Sequence, residues 1–193
     1  MKRVFWDVLV DTNTYRVFKK LLSTEESLEW MNTLEKGNPM GKSWIPLKLQ
    51  FWEGDRGYKR AEKKKPVADF TETLAMPLVN LRGREKIEPL IATQVEFLPF
   101  ETPVGPYYGL HVKYVDCLDV DRAKVVRFKS SGRIMEVEKY AFHWERLEGI
   151  HIFHLPELVH SRLFVSDEFK RVVEENGLTG LLFYPVPLVE DGE

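Results

Sequence analysis

Between Ser166 and Pro185 the chain reads SDEFKRVVEENGLTGLLFYP, and no other stretch constrains the fold as tightly. Ser166 offers a hydroxyl to the free N–H groups of a helix start, and Asp167 and Glu168 suit the positive end of its dipole. Phe169, Val172 and Val173 recur at i, i+3 and i+4, which puts one apolar stripe on the helix. Asn176-Gly177 supplies a left-handed stop, and Leu178 stands where such an ending places an apolar contact. Leu181 to Tyr184 then reads as a short strand closed by Pro185. With the apolar run from Ile150 in front, the unit is strand, loop, capped helix, strand. It contains no nucleophile, metal cage or phosphate cradle.

The stretch Pro77 to Phe100 (PLVNLRGREKIEPLIATQVEFLPF) echoes this unit without a gap. A shift of 86 positions carries Val79 onto Val165, Asn80 onto Ser166, Ile87 onto Val173, Thr93 onto Thr179, Phe97 onto Phe183 and Pro99 onto Pro185. Two helix–strand units are therefore expected, at about 77–100 and 163–186, as a degenerate internal repeat. Gly83 and Pro89 oppose helix formation and predict a shortened first helix.

The remaining elements are mostly strands. Residues 3 to 10 are β-branched and aromatic and end at the turn cluster Asp11 to Thr14; Tyr15 to Leu22 continues as a second strand. Leu28, Met31 and Leu34 follow Thr24-Glu25-Glu26 with a helical recurrence, so Ser23 to Lys36 is expected to form a short helix. Trp44 to Trp52 is extended, with Pro46 suggesting an edge position. Residues 53 to 66 lose their apolar side chains and gather lysine, which reads as a solvated loop. Tyr107 to Leu118 alternates, with Tyr108, Leu110, Val112 and Tyr114 on one face. Two further strands flank the turn Ser130-Ser131-Gly132, and a helical turn is expected at Glu145 to Gly149. The fold class is α+β: one strand-rich domain over 1–193, with a strand-rich first part at about 1–66.

Chemistry is sparse. A net charge of -2, from 28 basic and 30 acidic residues, provides no global field for a polyanion, so nucleic-acid binding is not expected. Cys117 is the only cysteine, which points to a reducing compartment and a buried, inert thiol. Asp7 and Asp11 interrupt the N-terminal apolar run too early for a secretory signal, and no run approaches the roughly eighteen apolar residues of a membrane helix. A cytoplasmic protein is expected. The five histidines lack metal-ligand spacing, and Asp116, Asp119 and Asp121 read as caps of the following turn. No Walker loop, G-x-S-x-G, H-E-x-x-H or G-x-G-x-x-G occurs, so no catalytic, cofactor or metal residue is assigned.

Taken together, YYGLHVKYVDCLDVDRAKVVRF, SGRIMEVEKYAFHWERLEGIHIFHLPEL and RLFVSDEFKRVVEENGLTGLLFYPV resemble the second half of a bacterial immunity-protein family found beside polymorphic toxins, the eleventh-numbered immunity family, formerly a domain of unknown function. GNPMGKSWIPLKL and the segment from Asp69-Phe70 to Asn80 resemble its first half. The carrying features are the strand ending Asp116-Cys117-Leu118-Asp119, Phe153 to Pro156, Phe164-Val165-Ser166 and Leu178-Thr179-Gly180. Ala123 and Asn80 stand where the family pattern has serine. The resemblance implies a cytoplasmic protein that binds one cognate toxin domain and blocks it, with no catalytic residues to carry over.

For such a stoichiometric inhibitor the sequence offers Trp44, Trp52 and Tyr58 as partner-binding anchors, since they flank the polar loop at 53–66. The alternative is a small-molecule-binding or enzymatic domain whose pocket lies between the two units, with Tyr108, His111 and Arg133 as polar contributors. A third reading uses Lys59 to Lys65 to hold nucleic acid, against which stand the shortness of the run and its interruption by Glu62.

Overall fold

A computed structural model describes residues 4–20, 39–41, 44–54, 59–73, 76–158 and 162–190. In chain order the first elements are β1 (Phe5–Val10), β2 (Phe18–Lys20), β3 (Leu47–Phe51), the one-turn helix α1 (Lys59–Glu62), β4 (Phe70–Thr73) and β5 (Met76–Asn80). Helix α2 (Leu81–Ile91), β6 (Val95–Thr102), β7 (Gly105–Val112), β8 (Lys124–Arg127) and β9 (Ile134–Lys139) follow. A 3-10 turn at Trp144–Leu147 precedes β10 (Ile152–Phe153), β11 (Leu163–Ser166), α3 (Asp167–Glu175) and β12 (Leu181–Pro185).

The capping side chains act as their spacing predicts. Asn80 Oδ1 accepts from the Gly83 N–H at 2.8 Å, and Ser166 Oγ accepts from the Phe169 N–H at 3.2 Å, so α2 and α3 each begin one residue later. Each helix joins two strands that run in the same direction, and each pair of strands leaves a gap. Strand β7 fills the first gap antiparallel, giving the order β4-β5-β7-β6; β1 fills the second, giving β10-β11-β1-β12.

The registers agree as well as the order. Tyr108 lies between Val79 and Pro99, and Trp6 lies between Val165 and Pro185, the residues that the 86-position shift relates. On the flanking strands, Phe70 faces Val79 and Ile152 faces Val165. The helix faces match too. The Arg84 guanidinium lies 4.8 Å from the Phe97 ring centre and 4.4 Å from that of Tyr108, and pairs with Glu88 at 2.8 Å. The Lys170 ammonium lies 5.8 Å from Phe183 and 4.6 Å from Trp6, and pairs with Glu174 at 2.7 Å. Each cation lies on aromatic faces while a carboxylate one turn along holds it there.

One core serves both units. Phe70, Val79, Ile87, Ile91 and Leu110 from the first pack with Val8, Ile152, Val165, Phe169 and Val173 from the second. The first sheet continues through β6 to β3 and β2 and curls until β2 packs against β4, making a nearly closed barrel around Phe18, Leu49, Leu78, Leu98, Phe100 and Tyr107. Gly109 belongs to that crowded interior, where a Cβ would lie 2.8 Å from the Phe100 ring and collide with the Met76 sulfur. On the other side of the second sheet, Phe5, Phe142, Phe153 and Phe164 form an aromatic cluster roofed by the β8–β9 hairpin.

Several expectations are corrected. Helix α2 is not shortened: it has 11 residues against 9 in α3. Gly83 is required there, because a Cβ would come within 2.5 Å of Val79 Cγ2. Pro89 sits in the last turn, and both it and Glu85, whose carbonyl loses an N–H partner, are exposed to water. Strand β3 lies inside its sheet and β2 at the edge; Pro46 precedes β3 and so never enters the ladder. Tyr114 falls beyond the end of β7, and Tyr107, Gly109 and His111 are buried along with Leu110 and Val112, so β7 is covered on both faces. The helix expected at Ser23 to Lys36 lies outside the described residues, as does Trp30.

Two glycines near one another separate strain from space. Gly180 has φ +101, and a Cβ there would strike the Phe70 carbonyl and approach the Ala68 Cβ to 2.8 Å; Gly177 has φ +57 and open surroundings. Gly180→Ala is expected to cost about 3 kcal/mol in denaturant unfolding and Gly177→Ala about 1 kcal/mol. Equal losses would contradict the close approach at Gly180.

Candidate interaction surface

The units are fastened at two joints. At the first, the loop between α3 and β12 receives the start of β4. The Asp69 carboxylate accepts from the Thr179 N–H at 2.9 Å, the Thr179 hydroxyl at 3.1 Å, Asn80 Nδ2 at 3.0 Å and Arg82 Nη1 at 2.9 Å on both oxygens. Arg82 Nη2 also donates to the Asn176 carbonyl at 2.8 Å, and the Phe70 N–H to the Thr179 carbonyl at 2.9 Å. Burial alone would raise the carboxyl pKa, but the donors from Thr179, Asn80 and Arg82 outweigh it and hold Asp69 below the usual carboxylate range.

At the second joint the loop between α2 and β6 receives the approach to β10. Gln94 Oε1 accepts from the His151 and Ile152 N–H groups at 2.8 and 3.2 Å, and its Nε2 donates to the Gly149 carbonyl at 3.0 Å. His151 Nδ1 lies 2.9 Å from the capping Ser166 Oγ, as Asp69 lies against the capping Asn80. Each unit's helix–strand loop thus grips the other unit's flanking strand. The 86-position shift takes Thr93-Gln94 onto Thr179-Gly180, so the fastening is reciprocal.

An open cleft of ≈ 430 Å³ lies at the first joint, lined by Val67, Ala68, Val104 and Tyr107 and by the polar residues Asp69, Asn80, Arg82 and Thr179. The Asp69 side chain is 8% exposed and that of Arg82 56%. Tyr107 donates to the Ala68 carbonyl at 2.6 Å, and its phenol is pushed up to about 12, first by burial and then by the charge of Asp69. Asp69, the one carboxylate among the described lining residues, is already surrounded by donors and the phenol is held protonated, so the arrangement suits recognition better than proton transfer.

The residues singled out in the sequence are distributed elsewhere. Trp44 is half-buried on the Phe100 ring, 5.2 Å between centroids, and its Nε1 donates to the Pro99 carbonyl at 2.9 Å. Trp52 is half-buried with its backbone N–H bonded to the Val17 carbonyl at 2.9 Å; Tyr58 lies outside the described residues. Tyr108 lies beneath Arg84, His111 faces the opposite side of β7 at 3.2 Å from Glu96, and Arg133 is exposed in the β8–β9 turn, so these three do not share a pocket. The basic loop is more structured than its composition suggests. Glu62 is buried and pairs with Lys65 at 2.7 Å, and Lys65 Nζ donates to the Thr12 carbonyl at 2.9 Å.

Asp119 accepts from the Arg122 N–H at 3.3 Å, the capping expected of it, while Asp116 pairs with Arg146 at 3.0 Å. Cys117 is buried, and burial pushes its thiol up to about 12. Among the described residues no group of three His, Cys, Asp or Glu side chains is placed to hold a metal ion, and no helix is long and apolar enough to cross a membrane. Sequence reasoning missed Asp69, Arg82 and Gln94 as joint residues. The one available signal was the pairing of Thr93 with Thr179 in the shifted comparison.

Compared with known proteins, residues 58–187 match the family model described as Immunity protein family (Imm11). The match takes in both helix–strand units except β1, together with both joints and every residue lining the cleft, and begins after GNPMGKSWIPLKL. No curated protein matches the chain.

Asp69→Asn keeps the shape of the first joint and removes its charge, and is expected to cost about 2 kcal/mol near neutral pH. Because the folded-state pKa of Asp69 lies below its unfolded value, the contribution is complete above the unfolded range and fades as pH falls through it toward the folded value. The stability gap between wild type and Asp69→Asn in urea should therefore narrow from about pH 6 to about pH 3. A gap that widens over that interval would reverse the assignment.

Proposed function

Since the chain belongs to the Imm11 immunity protein family, we propose that it binds the cognate toxin domain of a polymorphic toxin system in the cytoplasm and neutralises it by occlusion. The observation that carries this reading is the family match across 58–187. The interior chemistry agrees with it. The buried carboxylate of Asp69 and the buried amide of Gln94 join one unit to the other, and the Cys117 thiol is buried and protonated. A protein whose polar interior groups serve its own assembly has its outer surface for work on another macromolecule. Trp44, Trp52 and Tyr58 are the anchors proposed beside the loop at 53–66; Trp44 and Trp52 are each half-buried and keep part of their surface in water.

We also read the two units as a degenerate internal repeat. The support is the common strand order, the common register, the two caps and the two cation–aromatic–carboxylate sets related by one shift.

Coexpression with the toxin domain encoded beside the gene tests the function. Growth should be rescued and a stable complex of one inhibitor with one toxin should co-purify. Toxicity unrelieved by the protein, with no complex on size exclusion, would remove the proposal.

A further inference from the structure

The two joints are counterparts, yet they meet solvent differently. At the second, the Gln94 side chain fills the junction, and the residue the shift places opposite Arg82 is Glu168, whose carboxylate lies 3.9 Å from His151. At the first, the counterpart of Gln94 is Gly180, which has no side chain to close the junction, and the cleft opens there. Its single carboxylate is buried and covered by donors from Thr179, Asn80 and Arg82, whereas the guanidinium of Arg82 is more than half exposed. Of the five guanidinium N–H groups, those on Nη1 serve Asp69 and one on Nη2 serves Asn176; the Nε hydrogen and the other Nη2 hydrogen are left over. The cleft is therefore lined by a half-exposed guanidinium with donors to spare, a group that suits a carboxylate.

The rim supplies the apolar part of a contact. Val67, Leu81 and Val104 are 38%, 47% and 50% exposed, and the first and last line the cleft. An exposed arginine framed by aliphatic side chains is the kind of setting in which interface anchors are found. All of these residues lie within 58–187, the part of the chain that carries the family match, while Trp44 and Trp52 lie outside it.

We infer that this cleft is a docking site for the toxin, and that it takes an aspartate or glutamate side chain of the toxin against the open edge of Arg82, with the flanking apolar residue of the toxin between Val67 and Val104. This rests on the immunity reading and adds to it the chemistry of the contact.

The test uses the full chain and the purified, catalytically inactivated toxin domain encoded beside the gene, with affinity measured calorimetrically. Val104 lies in the β6–β7 turn with its side chain half exposed, so Val104→Glu puts a negative charge at the mouth without disturbing the core. It is expected to weaken binding about tenfold or more with the unfolding midpoint unchanged, while Val104→Lys, which loses the same apolar contact but repels no carboxylate, weakens it less. Arg82→Gln should weaken binding by a similar factor. Wild-type affinity in both Val104→Glu and Arg82→Gln would overturn the cleft and leave the immunity reading in place. Absence of binding by the wild-type chain itself would remove both.

Discussion

Two parallel strands joined by a helix leave a space one strand wide between them, and the way this protein fills that space governs everything else in it. The backbone of an unfilled gap would be left with unpaired donors and acceptors on both sides. In the first unit β7 turns back from β6 and enters the gap locally. In the second, β1 enters it from the far end of the chain, pairing with β11 on one side and β12 on the other. Filling the gaps brings the helices onto one side, where Ile87 and Ile91 meet Phe169 and Val173 and a single core becomes possible.

Electrostatics then secures what the sheets arrange. Helix cations at equivalent positions lie over aromatic rings that would otherwise be open to water, and a carboxylate one turn away holds each in place. The joints use different polar groups for one task. The carboxylate of Asp69 collects donors from three residues, whereas the amide of Gln94 both accepts and donates. An amide needs no counter-charge to be buried and a carboxylate does, so Arg82 stands at the first joint and no cation is needed at the second.

Local signals carried far in the sequence. Ser166 and Asn80 announced both helix starts, Asn176-Gly177 the stop of α3, and Ser130-Ser131-Gly132 the β8–β9 turn, because caps and turns are short-range chemistry. Errors arose where tertiary contacts decide. Gly83 and Pro89 argue against a helix by propensity, but packing under Val79 demands the glycine and an exposed last turn tolerates the proline. Pro46 suggested an edge, although a proline one residue outside a strand says nothing about its neighbours. The cleft was not legible, because Asp69 and Arg82, which flank the β4–β5 hairpin, meet Thr179, 110 positions on from Asp69, only through the folded joint.

The placement of β1 has a consequence for the order of folding. Strand β1 is made long before the two strands it lies between, so its sheet pairing waits until β11 and β12 have emerged. Such long-range pairing slows folding and leaves apolar residues such as Phe5 and Val8 uncovered in nascent chains. A chain halted before β12 leaves one side of β1 without its partner. The second sheet is therefore closed only when β12 is made, and a chain truncated ahead of it exposes a strand edge on which other chains can pair.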